Sequence, residues 1–171
     1  GEISQDESIS HVLQTSLNRA FSYFIEYPKS GDRSLYEKAR EILEQGIQLA
    51  KKTYFVDWWW LLSCSMHLFS EYDANSLWHQ LAPMDDDDPN GRFVRPYIRN
   101  SLRHNVPIIE LWRSQIKALP MINESERRSY CLKMPTSAGK TRIAELAILR
   151  FLLDHANEPE AKCAYIAPFR A

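Results

Sequence analysis

Several features that would place a chain quickly are scarce in this one. Cysteine is limited to Cys64, Cys131 and Cys163, far apart and without Cys-x-x-Cys spacing, which argues against a disulfide framework or a structural zinc site. All three lie in apolar runs, so they are expected as reduced core residues of a cytosolic protein. Charge of one sign is also lacking: 21 Lys and Arg stand against 22 Asp and Glu, for a net charge of −1. A nucleic-acid contact must then come from a local patch or from other chain segments. No long hydrophobic run is present, since residues 55–69 are interrupted by Asp57, Ser63, Ser65 and His67 and are too short to span a bilayer. With no secretory leader pattern either, the reading is a soluble, cytoplasmic protein with no membrane partner. Its 171 residues allow one large domain or two small ones.

The first hundred residues carry mainly helical signals. Ser4 and Glu7 have capping-box spacing, and Ile9, Val12, Leu13, Leu17, Ala20, Phe21 and Phe24 recur at helical period up to an expected stop at Pro28. Ser34 and Glu37 repeat the cap signature ahead of a stripe of Leu35, Ala39, Ile42, Leu43, Ile47 and Ala50. Residues 56–72 predict a third, more apolar and central helix, and residues 73–81 a short fourth. Residues 1–84 thus read as a helical accessory domain, with no internal repeat period to support a solenoid.

Trp58, Trp59 and Trp60 are consecutive, so on a helix they point about 100° apart and cannot share one buried face. An aromatic platform for a base or a partner protein is one reading; packing of two rings with the third under a neighbouring helix is favoured. Asp85 to Asp88, followed by Pro89, Asn90 and Gly91, reads as a solvated linker, because like charges repel and Pro-Asn-Gly punctuates. The run lacks the spaced ligands of a calcium loop. Arg92, Arg95, Arg99 and Arg103 then predict a basic stripe on a helix starting near Pro96. Such a stripe can track phosphates, but a solvated face that partly neutralises the aspartates is favoured. Residues 85–105 together read as linker and basic helix.

From Asn105 the chain changes character. A helix is expected from Asn105 and Pro107 to Pro120 with Ile109, Trp112, Ile116 and Leu119 on one face. Residues 130–134 follow as a strand, then Met134-Pro-Thr-Ser-Ala-Gly-Lys-Thr141, then a helix from Thr141 to His155 and a second strand over residues 162–167. A loop closing on Gly139, Lys140 and Thr141 at a strand-to-helix junction is a means of holding a nucleoside triphosphate. Backbone N–H groups and the helix dipole draw the phosphates, Lys140 reaches the β and γ phosphates, and the Thr141 hydroxyl is placed for Mg²⁺. The glycine that usually opens such loops is missing, its place taken by Met134. Along the helix, Ile143, Ala144, Ala147, Ile148, Phe151 and Leu152 are expected to face the core, opposite Arg142, Glu145 and Arg150. Strand, loop, helix and strand make a right-handed βαβ unit.

On these residues, 106–171 resemble the start of the first RecA-like lobe of a superfamily 2 DExH helicase of the superkiller type. Leu-Trp-Arg-Ser-Gln-Ile-Lys-Ala-Leu over residues 111–119 is similar to that family's adenine-recognition segment, which implies that Gln115 bonds the adenine edge. Pro135, Thr136, Ser137, Ala138, Gly139, Lys140 and Thr141 resemble its phosphate loop, in which Pro-Thr-Ser-Ala replaces the glycine-rich opening. Tyr-Ile-Ala-Pro-Phe-Arg-Ala over residues 165–171 resembles its motif Ia, which implies that Arg170 contacts a nucleic-acid backbone. The resemblance implies ATP and Mg²⁺ as cofactors, Lys140 as the catalytic residue, and DNA or RNA as partner of the whole protein.

No DExH segment lies within these residues, nor a second lobe with its arginine finger. The chain therefore reads as the amino-terminal part of a longer ATP-dependent helicase, inactive by itself. The fold class expected is a mainly α amino-terminal bundle followed by the βαβ start of an α/β RecA-like phosphate-loop lobe. A small-molecule kinase is the rival enzyme, though it has no need of Gln115 or of residues 168–171. A protein-interaction helical module attached to a non-helicase phosphate-loop NTPase is the rival from another class, with the tryptophan run as its hint.

Overall fold

The computed structural model describes residues 5–124, 129, 131–135 and 138–166. The chain divides into two compact units, Gly1–Trp78 and His79–Ala171. Among the described residues the regular structure is helical throughout, and no helix is long and apolar enough to cross a membrane.

The first unit is built on α1 (Gln5–Ser30), α2 (Arg33–Lys52) and α3 (Val56–Asn75). The expected stop at Pro28 is corrected: the helix runs through it and ends at Gly31, whose N–H bonds the Tyr27 carbonyl at 2.9 Å. Proline near a helix end forfeits one hydrogen bond, whereas Gly31, at φ 73°, adopts the left-handed turn that closes a helix. A Cβ there would sit 2.6 Å from the Trp78 ring. The cap of α2 is Asp32, accepting from Ser34 N–H at 2.9 Å, and not Ser34 as its spacing suggests. Ser4 of the first cap lies outside the described residues.

Neighbouring α2 packs closely on both α1 and α3, so the central helix is α2 and not the more apolar α3. The approach of α2 to α3 is close at Gly46, where a Cβ would meet Leu62 Cδ1 at 3.2 Å. Where α1 meets α3 the joint is aromatic: Phe24 stacks on Phe69 with centroids 3.7 Å apart, and Phe21 meets the same ring edge-on at 5.0 Å. Burying one such ring contributes about 1.5–3 kcal/mol. Tyr27, buried below, donates to Asp73 Oδ1 at 2.7 Å, and burial drives its hydroxyl well above the ordinary tyrosine range.

The outer face of α3 is open. Trp58 is half-buried and donates to Ser10 Oγ at 3.1 Å, but Trp59 and Trp60 are exposed, against the favoured packing reading. The cysteine expectation is corrected as well: Cys64, Cys131 and Cys163 are free thiols but all exposed.

A short α4 (Leu77–Gln80) leads into the second unit, where α5 (Ala82–Asp86) precedes α6 (Val94–Leu102), α7 (Arg113–Ile116), α8 (Leu119–Asn123) and α9 (Lys140–Asp154). The aspartate run is solvated only in part: Asp86 and Asp87 are exposed, and Asp85 is half-buried. Asp88 is buried and its carboxylate accepts from Arg92, Phe93 and Val94 N–H at 3.0, 2.8 and 3.0 Å. It thereby caps α6, whose own N-cap residue, Phe93, has no side-chain acceptor. Asp85 pairs with Arg95 at 3.2 Å, and Asp87 with Arg150 of α9 at 2.5 Å.

The single helix expected over residues 107–119 does not form. Val106, Ile108 and Ile109 are β-branched and disfavour helix, residues 105–112 are irregular, and Pro120 starts α8 where it was expected to stop a helix. On α9 the buried residues are Arg142, Ile143, Leu146, Leu149 and Leu153. Ala144, Ala147, Ile148 and Phe151, expected in the core, are half-buried, and Leu152 is exposed. The expected strands are not formed among the described residues: 131–135 and 161–166 are irregular, while Tyr130 and Ala167 lie outside the description.

Asp88 gives a stability test. Burial works to raise its carboxyl, but the three N–H donors outweigh it and hold it below the ordinary value. The stabilisation is therefore complete above the unfolded value of about 3.9 and lost as pH falls through the lower folded one. Asp88→Ala should cost about 1–3 kcal/mol, read as faster amide exchange at Arg92, Phe93 and Val94; unchanged protection there would refute the cap.

Candidate nucleotide site

The first turn of α9 is organised by Gly139, the N-cap, in the left-handed conformation at φ 74° and ψ 41°. Its carbonyl accepts from Arg142 N–H at 3.1 Å and from Gln115 Nε2 at 3.3 Å. One residue earlier, the Ala138 carbonyl accepts from Ser114 Oγ at 3.4 Å, and Ala138 N–H bonds the Pro135 carbonyl at 3.1 Å. The turn α7 thus grips the entrance to α9 from the side. Sequence explains the grip: Gln115 Oε1 also accepts from Trp112 N–H at 2.8 Å, fixing the amide plane at the start of α7.

Charge at this helix start runs against the usual preference. Acidic residues are absent from its first turn, while Lys140 and Arg142 are both cationic, and a cation at a helix N-terminus is unfavourable by about 0.3–1 kcal/mol. Arg142 is compensated: it is buried, 2.7 Å from Glu145 Oε2, and donates to Tyr97 Oη at 2.6 Å and Ser101 Oγ at 3.2 Å. Burial pushes the Tyr97 hydroxyl up to about 12, against the Arg142 hydrogen bond that lowers it. Lys140 is exposed and, among the described residues, has no anionic partner. An uncompensated lysine beside the open N–H groups of a helix start is an arrangement suited to an anion.

A cavity of 510 Å³ opens beside this turn, lined in part by Ile108, Glu110, Trp112, Gln115, Gly139 and Thr141. Trp112 is 58% exposed, so an indole face is available there. Glu110, also on the wall, has its carboxyl raised by burial. Gln115 is buried, yet its amide retains capacity. A glutamine amide has two donor hydrogens and two lone pairs, and one of each is spent on Gly139 and Trp112.

Of the residues singled out from sequence, the structure brings Gln115 and Gly139 into contact, with Ala138, Lys140 and Thr141 adjoining. Pro135 is exposed in an irregular segment. Thr136, Ser137 and Arg170 lie outside the described residues. Trp112, Ser114 and Glu110 were missed as site residues, Trp112 because its spacing fitted a buried stripe. The closeness of Trp112 and Ser114 to Gln115 in Leu-Trp-Arg-Ser-Gln was the available signal. A second cavity, of 430 Å³, lies against the half-buried face of α9 and is lined by Met134, Lys140, Ala144, Ile148, Cys163 and Tyr165, among others.

Residues 112–171 match the family model described as DEAD/DEAH box helicase. The chain is 30% identical over 171 residues to the Hachiman protein HamB of Bacillus cereus, covering 99% of this chain and 15% of that relative. The chain thus spans about a seventh of the length of the curated relative it matches. The family match supports a helicase-family segment over the residues that form α7 to α9 and the loop between them.

Gly139→Ala tests the turn. The left-handed backbone disfavours a side chain, and the new Cβ would collide with Gln115 Nε2. The variant should lose about 1–2 kcal/mol of stability and release Gln115, seen as loss of protection at Trp112 N–H; a variant with both unchanged would contradict the described contact.

Proposed function

We propose that this chain carries the nucleotide-binding start of an ATP-dependent nucleic-acid helicase or translocase. The observation that carries the reading is the Gln115 amide held on the Gly139 carbonyl, one residue from Lys140. An adenine nucleotide fits what surrounds that contact. The free donor and lone pair of Gln115 match the acceptor and donor on an adenine edge, the same complementarity by which glutamine reads adenine in DNA. Trp112 offers a stacking face, Lys140 a charge for the β and γ phosphates, and the helix start its N–H groups. Pro135, Thr136, Ser137 and Ala138 are assigned to the loop around the phosphates.

Magnesium is assigned to the Thr141 hydroxyl, which is exposed next to Lys140. Among the described residues no group of three or more His, Cys, Asp or Glu is placed to hold a metal, so the ion would enter with the nucleotide's own phosphate oxygens. It would neutralise charge on the phosphates, while Lys140 draws the γ phosphate and Gln115 fixes the base.

We assign the whole protein to the DExH branch of superfamily 2, with DNA or RNA as partner and Arg170 on its backbone. The βαβ start belongs to the same reading. Met134 from one expected strand and Cys163 and Tyr165 from the other line the same cavity on α9, as strands flanking one helix face would. The kinase alternative is disfavoured because it leaves Gln115 unexplained. A helical interaction module on a non-helicase NTPase is kept alive by Trp59 and Trp60, both exposed.

Paired variants in the longer protein test the assignment. Lys140→Ala should abolish nucleic-acid-stimulated ATP hydrolysis without lowering the melting temperature, because it removes a cation from the positive end of a helix. Gln115→Ala should weaken ATP more than GTP, since the phosphate contacts remain. Near-normal turnover of the first variant, or equal losses in the second, would sink the respective roles. The 171-residue chain alone should release no phosphate from ATP, with or without single-stranded DNA or RNA. The lysine and hydroxyl it supplies are half of what in-line transfer needs. Stimulated turnover by the purified chain would overturn that part of the reading.

A further inference from the structure

A groove of 750 Å³ runs between α6 and α9, and neither Gln115 nor Gly139 lines it. Its apolar lining includes Phe93, Ile148 and Leu152, and its basic lining Arg92, Arg99 and Arg103. Of the four arginines in the stripe, Arg95 is taken up by Asp85 at 3.2 Å and does not line the groove. Arg99 and Arg103 are exposed and have no carboxylate partner among the described residues. The Arg92 guanidinium lies over the Phe93 ring, 5.4 Å from its centroid. The one carboxylate on the wall, Glu145, is neutralised by Arg142 at 2.7 Å. The groove therefore presents net positive charge beside an apolar lining.

We propose that this groove binds single-stranded nucleic acid, with phosphates on Arg92, Arg99 and Arg103 and base faces on Phe93, Ile148 and Leu152. Charge complementarity selects an anion. At a rise of about 1.5 Å per residue, Arg99 in the last turn of α6 and Arg103 at its C-cap stand about 6 Å apart along the helix axis, comparable with successive phosphates of an extended strand. The apolar lining selects the type of anion. Bases of a single strand expose flat faces that stack on aromatic and apolar side chains, and an arginine laid on an aromatic ring extends that surface. A duplex keeps those faces to itself, and an acidic peptide has no equivalent for that lining. Since neither Lys140 nor Gln115 takes part, the site is independent of the nucleotide reading.

The test uses the longer protein, without nucleotide, and fluorescein-labelled 15-mers of deoxythymidylate and of uridylate, which distinguish DNA from RNA. Binding is read by anisotropy across a salt series. Arg99→Gln/Arg103→Gln should make the slope of log affinity against log salt shallower by about 1.4, at about 0.7 per phosphate contact. That corresponds to about 25-fold weaker binding at 0.1 M salt. Arg19→Gln, on α1, should change neither. Should the double variant fail to fold, photocrosslinking of 5-bromouracil strands to the unaltered protein decides, with adducts expected at Phe93. An unchanged slope in a folded double variant, equal affinity for a duplex, displacement by oligoglutamate at equal concentration, or adducts confined to other residues would each overturn the proposal.

Discussion

The left-handed backbone of Gly139 is the constraint on which the candidate site depends. It turns the chain into α9 so that its carbonyl faces Gln115, and it leaves no Cβ in the space the amide occupies. From that single conformation follow the contact between α7 and α9, the direction of the first helical N–H groups, and the exposure of Lys140. A side chain at this position would oppose all three at once. The missing glycine at Met134 matters less, because the carbonyls of Ala138 and Gly139 are held by Ser114 and Gln115 from outside the loop.

A second set of polar contacts keeps α6 on α9. Buried Arg142 would be costly alone, but Glu145, Tyr97 and Ser101 satisfy it from two helices. Asp87 reaches Arg150 further along α9, while Asp88 terminates the turn that starts α6. The exposed members of this set contribute little individually. Their value lies in orientation: α6 cannot rotate about its axis without breaking the hydrogen bonds of Tyr97 and Ser101 to the guanidinium.

Local periodicity made much of this legible in advance. The apolar spacing of α1, α2 and α3 was readable, as was the helix after Gly139, because a helix satisfies its backbone internally and needs only one face of partners. Chain ends of helices were less so. Gly31 and not Pro28 closes α1, since a left-handed turn terminates a helix more decisively than the loss of one donor. Asp88 was misread because charge repulsion within the run is a weaker effect than three N–H groups in search of an acceptor. Burial of Cys64 was inferred from its apolar run and packing of Trp59 and Trp60 from helical spacing, neither of which tells which side of an apolar helix meets a neighbour. At the candidate site, Gly139 and Gln115 were singled out and the structure brings them into contact, whereas the exposure of Trp112 depended on the chain failing to form the long helix that its spacing suggested.

Helices and strands differ in what they need from the rest of a chain, and that difference accounts for the uneven outcome in the second unit. The 15 residues of α9 form hydrogen bonds within their own segment once Gly139 has set the first turn. Segments 131–135 and 161–166 can pair their backbone groups only with another segment. The apolar face of α9 reflects the same dependence. Ala144, Ala147 and Ile148 are half-buried along a cavity, while Leu146 and Leu149 are buried. A helix of this composition has two faces to cover, and the spacing of its apolar residues could not say which would be covered first. The polar hub of Arg142, Tyr97 and Ser101 settles it, because buried hydrogen bonds fix rotation where methyl groups on both sides would permit several.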